Sequence, residues 1–424
     1  MKPFASLGRV LPGVRSMRRT LLLVSVLLLV AGSAAHARSS AQPVPQGAAT
    51  FVVTGHGWGH GVGLSQWGAY GYAQKGFDYE KIVLHYFPGT ELGAAPVSRV
   101  RVLLTSGVKT LTVNSTVDFK VRDGSGVVHT LSAGAYPLTA ALKLRVDGQP
   151  KATALPGPLL FQPGSAALAL KHRYRGSIQV DVDAGKLRAI NMVGLEQYLY
   201  GVVPSEMPKD WLPEALKAQA VAARSYALAV RKTGSWFDLY GDTRSQVYLG
   251  IAHEAPAATA AVQATAGQVV LYGGKVATTY FFSSSGGRTA SAEEVFPSSP
   301  AVPYLVSVSD PYDTISPHHR WGPFSISASK LRRTLGVRGA LSDVRLDLGP
   351  SGRVETITGV GAQGESTMKG WDFRRGLGLD STWFRVGVLS LGDPKAPVTY
   401  GARVSIDGVA RSMPSVRLDR NRLP

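Results

Sequence analysis

Five glycines occupy every second position from Gly55 to Gly63, and this pattern constrains the fold more than any other feature of the sequence. Each glycine destabilises a helix interior by roughly 0.5–1 kcal/mol relative to alanine, so this stretch cannot be a helix. In an extended backbone, successive side chains point to opposite faces. One face then carries no side chain, and the other carries His56, Trp58, His60, Val62 and Leu64. The bare face predicts a very close approach by another backbone or by a ligand.

Three kinds of site compete for this glycine-rich segment. A dinucleotide-binding site is disfavoured because the glycine spacing is wrong and the flanking strand, helix and acidic residue are not convincingly in place. A metal site would use His56 and His60 with a third ligand such as His85, although histidine pairs at this spacing normally bind metal from a helix. The favoured interpretation is a surface for packing or for stacking sugar rings, with Trp58 and Trp67 as its aromatic side chains.

The first 37 residues have the layout of a secretory signal peptide. Five cations precede an apolar run over residues 21–31, and small residues follow at Ala35 and Ala37. The run is shorter than the ~20 residues that span a bilayer. We therefore expect cleavage after Ala37 and a secreted protein, either extracellular or associated with the cell wall. An uncleaved N-terminal anchor is the alternative, and it is the only membrane contact we expect.

The mature chain would be basic, and the sequence contains no cysteine. The whole chain has 46 Lys+Arg and 28 Asp+Glu, so removing the five leader cations leaves 41 against 28, or +13. The absence of cysteine excludes disulfides, cysteine-ligated zinc and thiol nucleophiles, and we expect no metal and no cofactor. The cations are dispersed and no nucleic-acid-binding signature is present. The charge therefore favours an extended anionic wall polymer, and we expect no nucleic acid as a partner.

Glu206 is the strongest candidate for a catalytic acid. It lies between two prolines at residues 204–208, among apolar neighbours that include Val203, Met207 and Trp211. Prolines hold the backbone stiffly, and burial would raise the pKa of the carboxyl and keep it protonated as a general acid. Ordinary glycosidases need two carboxylates, and no matching partner is identifiable. A single acid suffices if a hydroxyl of the substrate is the nucleophile, which is the chemistry of a lytic transglycosylase. The alternative is that Glu206 merely favours the N-terminus of the following helix.

Short alternating segments predict a strand-rich α+β fold with one long helix following the motif that carries the acid. Residues 177–183 and 187–193 predict a hairpin, residues 194–201 a short helix, and residues 210–233 the long helix with Asp210 as its N-cap. The predicted divisions are a signal peptide (1–37), a linker (38–50), the glycine-rich segment (51–98), a β-rich insert or subdomain (99–175), the catalytic domain (176–390) and a C-terminal strand or tail (391–424).

Several long motifs occur in a fixed order. The sequence VGLEQYLYGVVPSEMP runs over residues 193–208, and EALKAQAVAARSYA runs over residues 214–227. Further motifs are GHGVGLSQWGA at residues 59–69, QVYLG at 246–250, YFFSSSGGRT at 280–289 and FRRGLGLDSTWF at 373–384. Together they resemble the SpoIID/LytB family of stage II sporulation protein D and amidase-enhancer proteins.

The resemblance implies binding and cleavage of peptidoglycan glycan strands, particularly strands already stripped of their stem peptides. It places Glu206 at the position of the catalytic acid. Its motifs also supply a predicted substrate-binding set, which comprises Lys217, Arg224, Ser285, Thr289, His56, Trp58, His60 and Gln66. Amidase-enhancer members are described as activators, so the alternative is a non-enzymatic glycan-binding enhancer whose partner is an N-acetylmuramoyl-L-alanine amidase of the cell wall.

This chain departs from the family pattern in three ways. The glycine-rich segment precedes the Glu206 motif, whereas it lies near the C-terminus of sporulation protein D. A shared site then requires the two ends of the chain to lie close together. The zinc site that some members build from Cys and His cannot be present without cysteine, and Phe282 stands where a histidine is usual.

Overall fold

The structure is a computed structural model that describes residues 49–296, 300–390, 403–406 and 409–412. The predicted signal peptide, nearly all of the predicted linker and most of the predicted C-terminal tail lie outside these ranges. The described residues belong to one compact unit, so the predicted internal domain boundaries stay a prediction. Within these ranges, no helix has both the length and the apolar composition needed to cross a membrane.

Helices contribute the smaller share of the regular structure. The helices of the described ranges are α1 (Gln66–Gln74), α2 (Tyr79–Tyr86), α3 (Leu195–Glu206), α4 (Pro213–Ala229), α5 (Pro256–Ala264), α6 (Ala292–Val295), α7 (Ala328–Leu335) and α8 (Gly370–Leu377). Single turns of 3₁₀-helix occur at Ile251–His253 and Asp313–Ile315. The longest of these helices is α4, which follows the Glu206 motif as predicted.

Strands are the more abundant regular structure among the described residues. The first half contains β1 (Ala49–His56), β2 (Leu64–Ser65), β3 (Glu91–Ala94), β4 (Arg99–Val108), β5 (Thr110–Ser115), β6 (Phe119–Arg122), β7 (Val128–Leu131), β8 (Gly134–Thr139), β9 (Lys143–Leu144), β10 (Thr153–Ala154), β11 (Leu159–Gln162), β12 (Leu168–Ala169), β13 (Arg173–Tyr174), β14 (Ser177–Asp183) and β15 (Lys186–Gly194). The second half contains β16 (Leu239–Tyr240), β17 (Gln268–Tyr272), β18 (Lys275–Val276), β19 (Phe281–Phe282), β20 (Arg320–Ser327), β21 (Leu341–Leu348), β22 (Val354–Gly361), β23 (Gly364–Lys369), β24 (Phe384–Ser390), β25 (Arg403–Ile406) and β26 (Val409–Ser412). The predicted strand-rich α+β class is confirmed.

A seven-stranded sheet with the order β16-β4-β15-β14-β11-β6-β7 supports the main core. The predicted hairpin is its β14–β15 pair, in which Ile178 lies opposite Asn191 and Val180 opposite Ala189. The buried faces of α3, α4 and α5 pack into the same apolar core. The sheet therefore fixes the position of α3, the helix that ends at Glu206.

The two ends of the described chain meet in a second, three-stranded sheet. Strand β1 is its central strand and pairs antiparallel with β20 on one side and with β24 on the other. Phe51 is the partner of both Ile326 and Val388, and it is 2% exposed. This pairing brings the N-terminal glycine-rich segment to the C-terminal strands, as the rearranged motif order requires.

Helix α3 extends further than the sequence predicted. It runs through Pro204 to Glu206, whereas the predicted short helix ends at residue 201. The hydroxyl of Ser205 donates to the carbonyl of Gly201 at 2.7 Å, and the Met207 N–H donates to the carbonyl of Val203 at 3.0 Å. These bonds satisfy two carbonyls of the last turn, and the helix ends two residues after the proline.

Helix α4 is shorter than predicted at both ends. Its N-cap is Leu212 and not Asp210, and no side chain caps its first turn. Pro213 is its first residue, where the missing N–H costs nothing and the fixed φ already suits a helix. At the other end, the Lys232 N–H donates to the carbonyl of Asp238, so the helix ends at Ala229.

The alternating glycines do not form the regular extended strand that we expected. Gly57, Gly59, Gly61 and Gly63 have φ values of +72°, +119°, +94° and +78°, which glycine adopts without strain. The predicted close approach is present, because Trp58 pairs with Ser284 and β2 pairs with β19. A Cβ atom at Gly63 would lie 2.2 Å from the carbonyl oxygen of Tyr280.

We predict that Gly63→Ala destabilises the protein by roughly 2–5 kcal/mol, since backbone strain adds to steric overlap with Tyr280. Gly76→Ala is the matched control, because Gly76 has φ +81° and a Cβ atom added there would have no neighbour within 4 Å. The control should lose only the backbone contribution of ~1–2 kcal/mol. Urea unfolding of both variants measures the difference, and equal losses would contradict a contact role for Gly63.

Candidate functional site

Glu206 is the last residue of α3, and its carboxyl group is half-buried. Oε1 accepts one hydrogen bond, from the N–H of Val247 at 3.1 Å. Among the described residues, no lysine, arginine or histidine forms an ion pair with this carboxyl group. The side chain is therefore shielded from water but has no cation that would hold it ionised.

Two effects keep this carboxyl group protonated to higher pH than an ordinary glutamate. Burial raises the pKa of Glu206, while the Val247 N–H partly opposes that rise. The C-terminal position in α3 also disfavours the ionised form, because a helix C-terminus carries partial negative charge. Glu206 thus lies at the end of the preceding helix, and its carboxyl group accepts from Val247 and not from the first turn of α4. The position and environment suit a general acid.

Gln66 connects the glycine-rich segment to the acid. Its Nε2 donates to the backbone carbonyl of Glu206 at 2.9 Å and to Oε1 of Gln219 on α4 at 3.3 Å. Gln66 is 8% exposed, so its amide orients the end of α3 more than it offers groups to a ligand. The structure thus joins two predicted site residues that are 140 positions apart in the sequence.

Three aromatic rings lie beside this junction. Trp67 directly follows Gln66, and its ring centroid is 4.7 Å from that of Trp211. Tyr70 stacks on Trp211 with centroids 4.6 Å apart and an angle of 17° between the rings. All three residues are only partly buried. Partly exposed aromatic faces are suited to stacking on sugars. The sequence analysis proposed Trp67 as a stacking ring, but not Trp211 or Tyr70.

Arg224 does not lie on an open surface as the substrate-binding prediction requires. Its side chain is 0% exposed and forms a two-pronged ion pair with Glu196 of α3, at 3.0 and 2.5 Å. Nη1 also donates to the carbonyl of Gln268 at 3.0 Å. We therefore correct its predicted role from substrate contact to fixing α3 against α4.

Lys217 is a better-placed cation than Arg224. Its side chain is 25% exposed, pairs with Glu214 at 2.7 Å, and lies 5.7 Å from the ring centre of Tyr79. The predicted common face of Lys217 and Arg224 is therefore absent, because one side chain is accessible and the other is in the core.

Ser285 and Thr289 are buried and hydrogen-bonded inside the protein, so the predicted cleft lining is corrected. Both are 0% exposed. The Ser285 N–H donates to Asp313 at 3.0 Å, and its hydroxyl accepts from the Gly287 N–H at 3.0 Å. The Thr289 hydroxyl accepts from the Val308 N–H at 2.8 Å.

The predicted histidines serve different purposes. His60 accepts from the Val62 N–H at Nδ1 and lies 3.1 Å from the carbonyl of Phe281 at Nε2, so it has no nitrogen free for a ligand. Burial lowers the pKa of His60 to about 4. His85 contacts Tyr72 and the Ser309 carbonyl. In the described ranges, no group of three or more His, Cys, Asp or Glu side chains could hold a metal ion, and the alternative metal site is therefore not formed.

His56 and Trp58 belong to a separate surface cluster. Trp58 is 45% exposed and its ring centroid lies 4.3 Å from that of His318, which is paired with Asp380 at 3.0 Å. His56 packs against Trp383 with centroids 4.9 Å apart. Of this pair of predicted binding residues, Trp58 offers the accessible ring.

A buried carboxylate pair lies beneath the glycine-rich segment, and the sequence analysis missed it. Asp313 accepts from Ser65, Ser284, Ser285, Gly286 and His319. Asp310 is 0% exposed and neither of its carboxyl oxygens has a hydrogen-bond partner of good geometry. Burial, together with the neighbouring Asp313, raises the pKa of Asp310 to about 7. The only sequence signal was two aspartates in a loop.

We predict that Asp310→Asn changes the pH dependence of stability. Between the ordinary Asp pKa of ~3.9 and about 7, the folded state holds a proton that the unfolded state has lost, so wild-type stability falls as pH rises. The variant lacks this titration, and its stability relative to wild type should rise by up to ~1.4 kcal/mol per pH unit in that window. Urea unfolding at several pH values measures the difference, with exposed Asp210→Asn as the control. A difference that does not vary with pH would contradict the assignment.

Residues 183–272 match the family model described as stage II sporulation protein, SpoIID. Stage II sporulation protein D of Bacillus subtilis (strain 168) is 34% identical over 222 residues, which is 46% of this chain and 61% of that protein. The chain therefore contains a domain that matches the SpoIID family. The SpoIID/LytB domain includes Glu206, Arg224 and Val247, so the geometry around the acid lies in the matched region.

Two further relatives extend the comparison. Stage II sporulation protein D of Bacillus amyloliquefaciens is 34% identical over 233 residues, 50% of this chain and 66% of that protein. The amidase enhancer of Bacillus subtilis (strain 168) is 44% identical over 115 residues, 27% of this chain and 15% of that protein. The chain thus spans less than two thirds of the length of each of these relatives. The β-rich region at residues 99–175 lies outside the family model.

Proposed function

We propose that this protein is exported and cleaves peptidoglycan glycan strands, particularly strands without stem peptides, as a lytic transglycosylase. The observation that carries the proposal is the Glu206 carboxyl group, which is shielded, has no ion-pair partner among the described residues, and has a raised pKa. A carboxyl group in this state is suited to donate a proton to a glycosidic oxygen.

The proposed reaction needs one carboxyl group. Glu206 donates its proton to the glycosidic oxygen, and the bond between that oxygen and the anomeric carbon of muramic acid breaks. The 6-hydroxyl of the same muramic acid attacks the anomeric carbon and forms a 1,6-anhydro ring. The carboxylate left on Glu206 accepts the hydroxyl proton and returns to its starting state. No water is consumed, so the second carboxylate of an ordinary glycosidase is not required.

Side chains around Glu206 would bind and orient the substrate. The half-exposed rings of Trp67 and Trp211 offer stacking faces next to the end of α3. Lys217 supplies an accessible cation on the following helix. The net basic charge of the chain, +18 over the full sequence, favours an anionic polymer of the cell wall.

We predict a descending pH profile for cleavage. Because the protonated form of Glu206 is the active form, kcat/KM should fall as pH rises through its pKa, with a midpoint above the ordinary 4.5. The assay follows the release of soluble fragments from peptide-free glycan at constant ionic strength, with Asp210→Asn as a control that keeps the profile. Activity that instead increases with pH through this range would indicate a carboxylate base and would exclude the proposed acid.

The second candidate is a glycan-binding enhancer of a cell-wall amidase, which the similarity to an amidase enhancer favours. In this role, the protein would stimulate an N-acetylmuramoyl-L-alanine amidase, and Glu206→Gln would stimulate it equally well. Release of stem peptides by a purified amidase, with wild type or variant added, measures this directly. Stimulation that disappears in the variant would contradict a purely non-enzymatic role.

A further inference from the structure

A cavity of about 510 Å³ lies between the β-rich region and the segment that contacts the acid. One wall comes from β4 and β5 and from residues 170–174, around β12 and β13. The opposite wall includes Tyr248 and Leu249. The volume falls in the ~300–1,000 Å³ range of small-molecule sites. The β-strand wall lies outside residues 183–272, the region matched by the family model.

The polar side chains of this cavity lack hydrogen-bond partners in the protein. None of the hydrogen bonds found among the described residues involves the side chains of Thr105, Thr110, Thr112, Asn114, His172 and Tyr174. Tyr174 is 5% exposed, and its hydroxyl forms no hydrogen bond within the protein. These side chains can therefore hydrogen-bond to a ligand without losing a partner in the protein. A ligand rich in hydroxyl and amide groups would offer matching donors and acceptors.

The cavity is lined by basic side chains and by no acidic ones. Lys171 is exposed at its edge, His172 lies beside it, and no aspartate or glutamate lines it. Aliphatic side chains and the buried ring of Tyr248 form the rest of the wall. This combination suits a sugar with N-acetyl and hydroxyl groups and a negatively charged substituent.

The cavity and the acid share one short segment. Val247 donates to Glu206, while the next two residues, Tyr248 and Leu249, line the cavity. Consecutive Cα atoms are ~3.8 Å apart, so this wall begins within a few ångströms of the acid's contact. Gly250 packs against β13, where a Cβ atom added to the glycine would lie 2.2 Å from the Arg173 carbonyl oxygen, and this contact fixes the two walls together.

We propose that this cavity is a second glycan-binding subsite, which holds an N-acetylated sugar of the strand away from the cleaved bond, with Lys171 contacting the lactyl carboxylate of a peptide-free muramic acid. The inference rests on the proposed function for the identity of the strand. The hydroxyl and amide side chains bind the sugar, and the cation favours strands without stem peptides, because amide formation with a peptide removes the lactyl charge.

Calorimetric titration tests the subsite with two probes, a neutral N-acetylglucosamine oligosaccharide and peptide-free peptidoglycan strands. The full chain carries Glu206→Gln so that no cleavage occurs during the titration. Tyr174→Phe and Thr112→Val should each weaken binding of both probes roughly two- to tenfold, the effect of one lost neutral hydrogen bond. Tyr136→Phe and Thr130→Val make the same changes on β8 and β7 outside the cavity and should leave both affinities unchanged. Parental affinity in both cavity variants would overturn the subsite.

Lys171→Gln separates the two parts of the proposal. It should weaken binding of the peptidoglycan strands up to about fivefold, as expected for one exposed ion pair, and leave the neutral oligosaccharide unaffected. Equal affinities of parent and variant for the strands would overturn the carboxylate contact. Cleavage by the otherwise wild-type chain is measured separately, so a failure of the Glu206 mechanism is distinguishable from a failure of the subsite.

Discussion

Glu206→Gln is expected to reduce the rate of glycan cleavage by roughly 100- to 10,000-fold, the usual contribution of a general acid. Glutamine has nearly the same shape, and its carbonyl oxygen can still accept the Val247 N–H that lies 3.1 Å from Oε1 in the wild type. It cannot donate a proton to a glycosidic oxygen. The loss should therefore fall on kcat, with little change in binding of the strand.

Glu206→Gln should not lower the stability of the fold. The raised pKa means that ionised Glu206 is less stable in the folded than in the unfolded chain, so above its folded pKa the variant should be at least as stable as wild type. Thermal unfolding of both proteins checks this point. Asp210→Asn, an exposed acid in the following loop, is the matched control and should keep full activity. A variant that is folded and still cleaves at the wild-type rate would contradict the assignment.

Replacing Arg224 with methionine should destabilise the protein by about 3–5 kcal/mol. Methionine keeps much of the apolar stem but removes the guanidinium, so the Glu196 carboxylate loses its bidentate partner and the carbonyl of Gln268 loses a donor. Breaking one side of a buried ion pair has costs of this size, and the Glu196 carboxylate would keep the Gly267 N–H as its remaining partner.

Urea unfolding measures the effect, and Arg231→Met is the control. Arg231 follows the end of α4 and has no ion pair among the described residues, so its replacement should change stability by less than ~0.5 kcal/mol. If Arg224 instead contacts the glycan directly, Arg224→Met would weaken strand binding while stability stayed unchanged. That outcome would contradict the structural role assigned to this residue.

Local sequence patterns predicted the parts of the fold that depend on local interactions. The alternation over residues 177–193 became the β14–β15 hairpin, and the alanine-rich stretch after the acid became the longest described helix. The end of α3 was missed because the helix continues through Pro204, and the start of α4 was missed because Leu212, and not Asp210, is its N-cap.

The candidate site depends on long-range contacts, which local sequence patterns do not predict. Gln66 and Glu206 each stood out within a motif, but nothing local indicates that their hydrogen bond spans 140 positions. Likewise, Lys217 and Arg224 fall seven residues apart and suggest a common face. The ion pair with Glu196 on α3 holds the Arg224 side chain in the core, and the spacing alone does not predict it. The cavity beside Tyr248 has no sequence signal, because its walls come from separate strands.

The most direct test of the central claim is the chemistry of the new chain ends formed from peptide-free glycan by the purified protein. Mass spectrometry of the fragments distinguishes a 1,6-anhydro-muramic end from a reducing end that has gained water. With Glu206 as the sole acid and the substrate hydroxyl as nucleophile, we expect anhydro ends with the wild type and none with Glu206→Gln. Reducing ends formed by the wild type would contradict the mechanism and would require a second catalytic group that activates water.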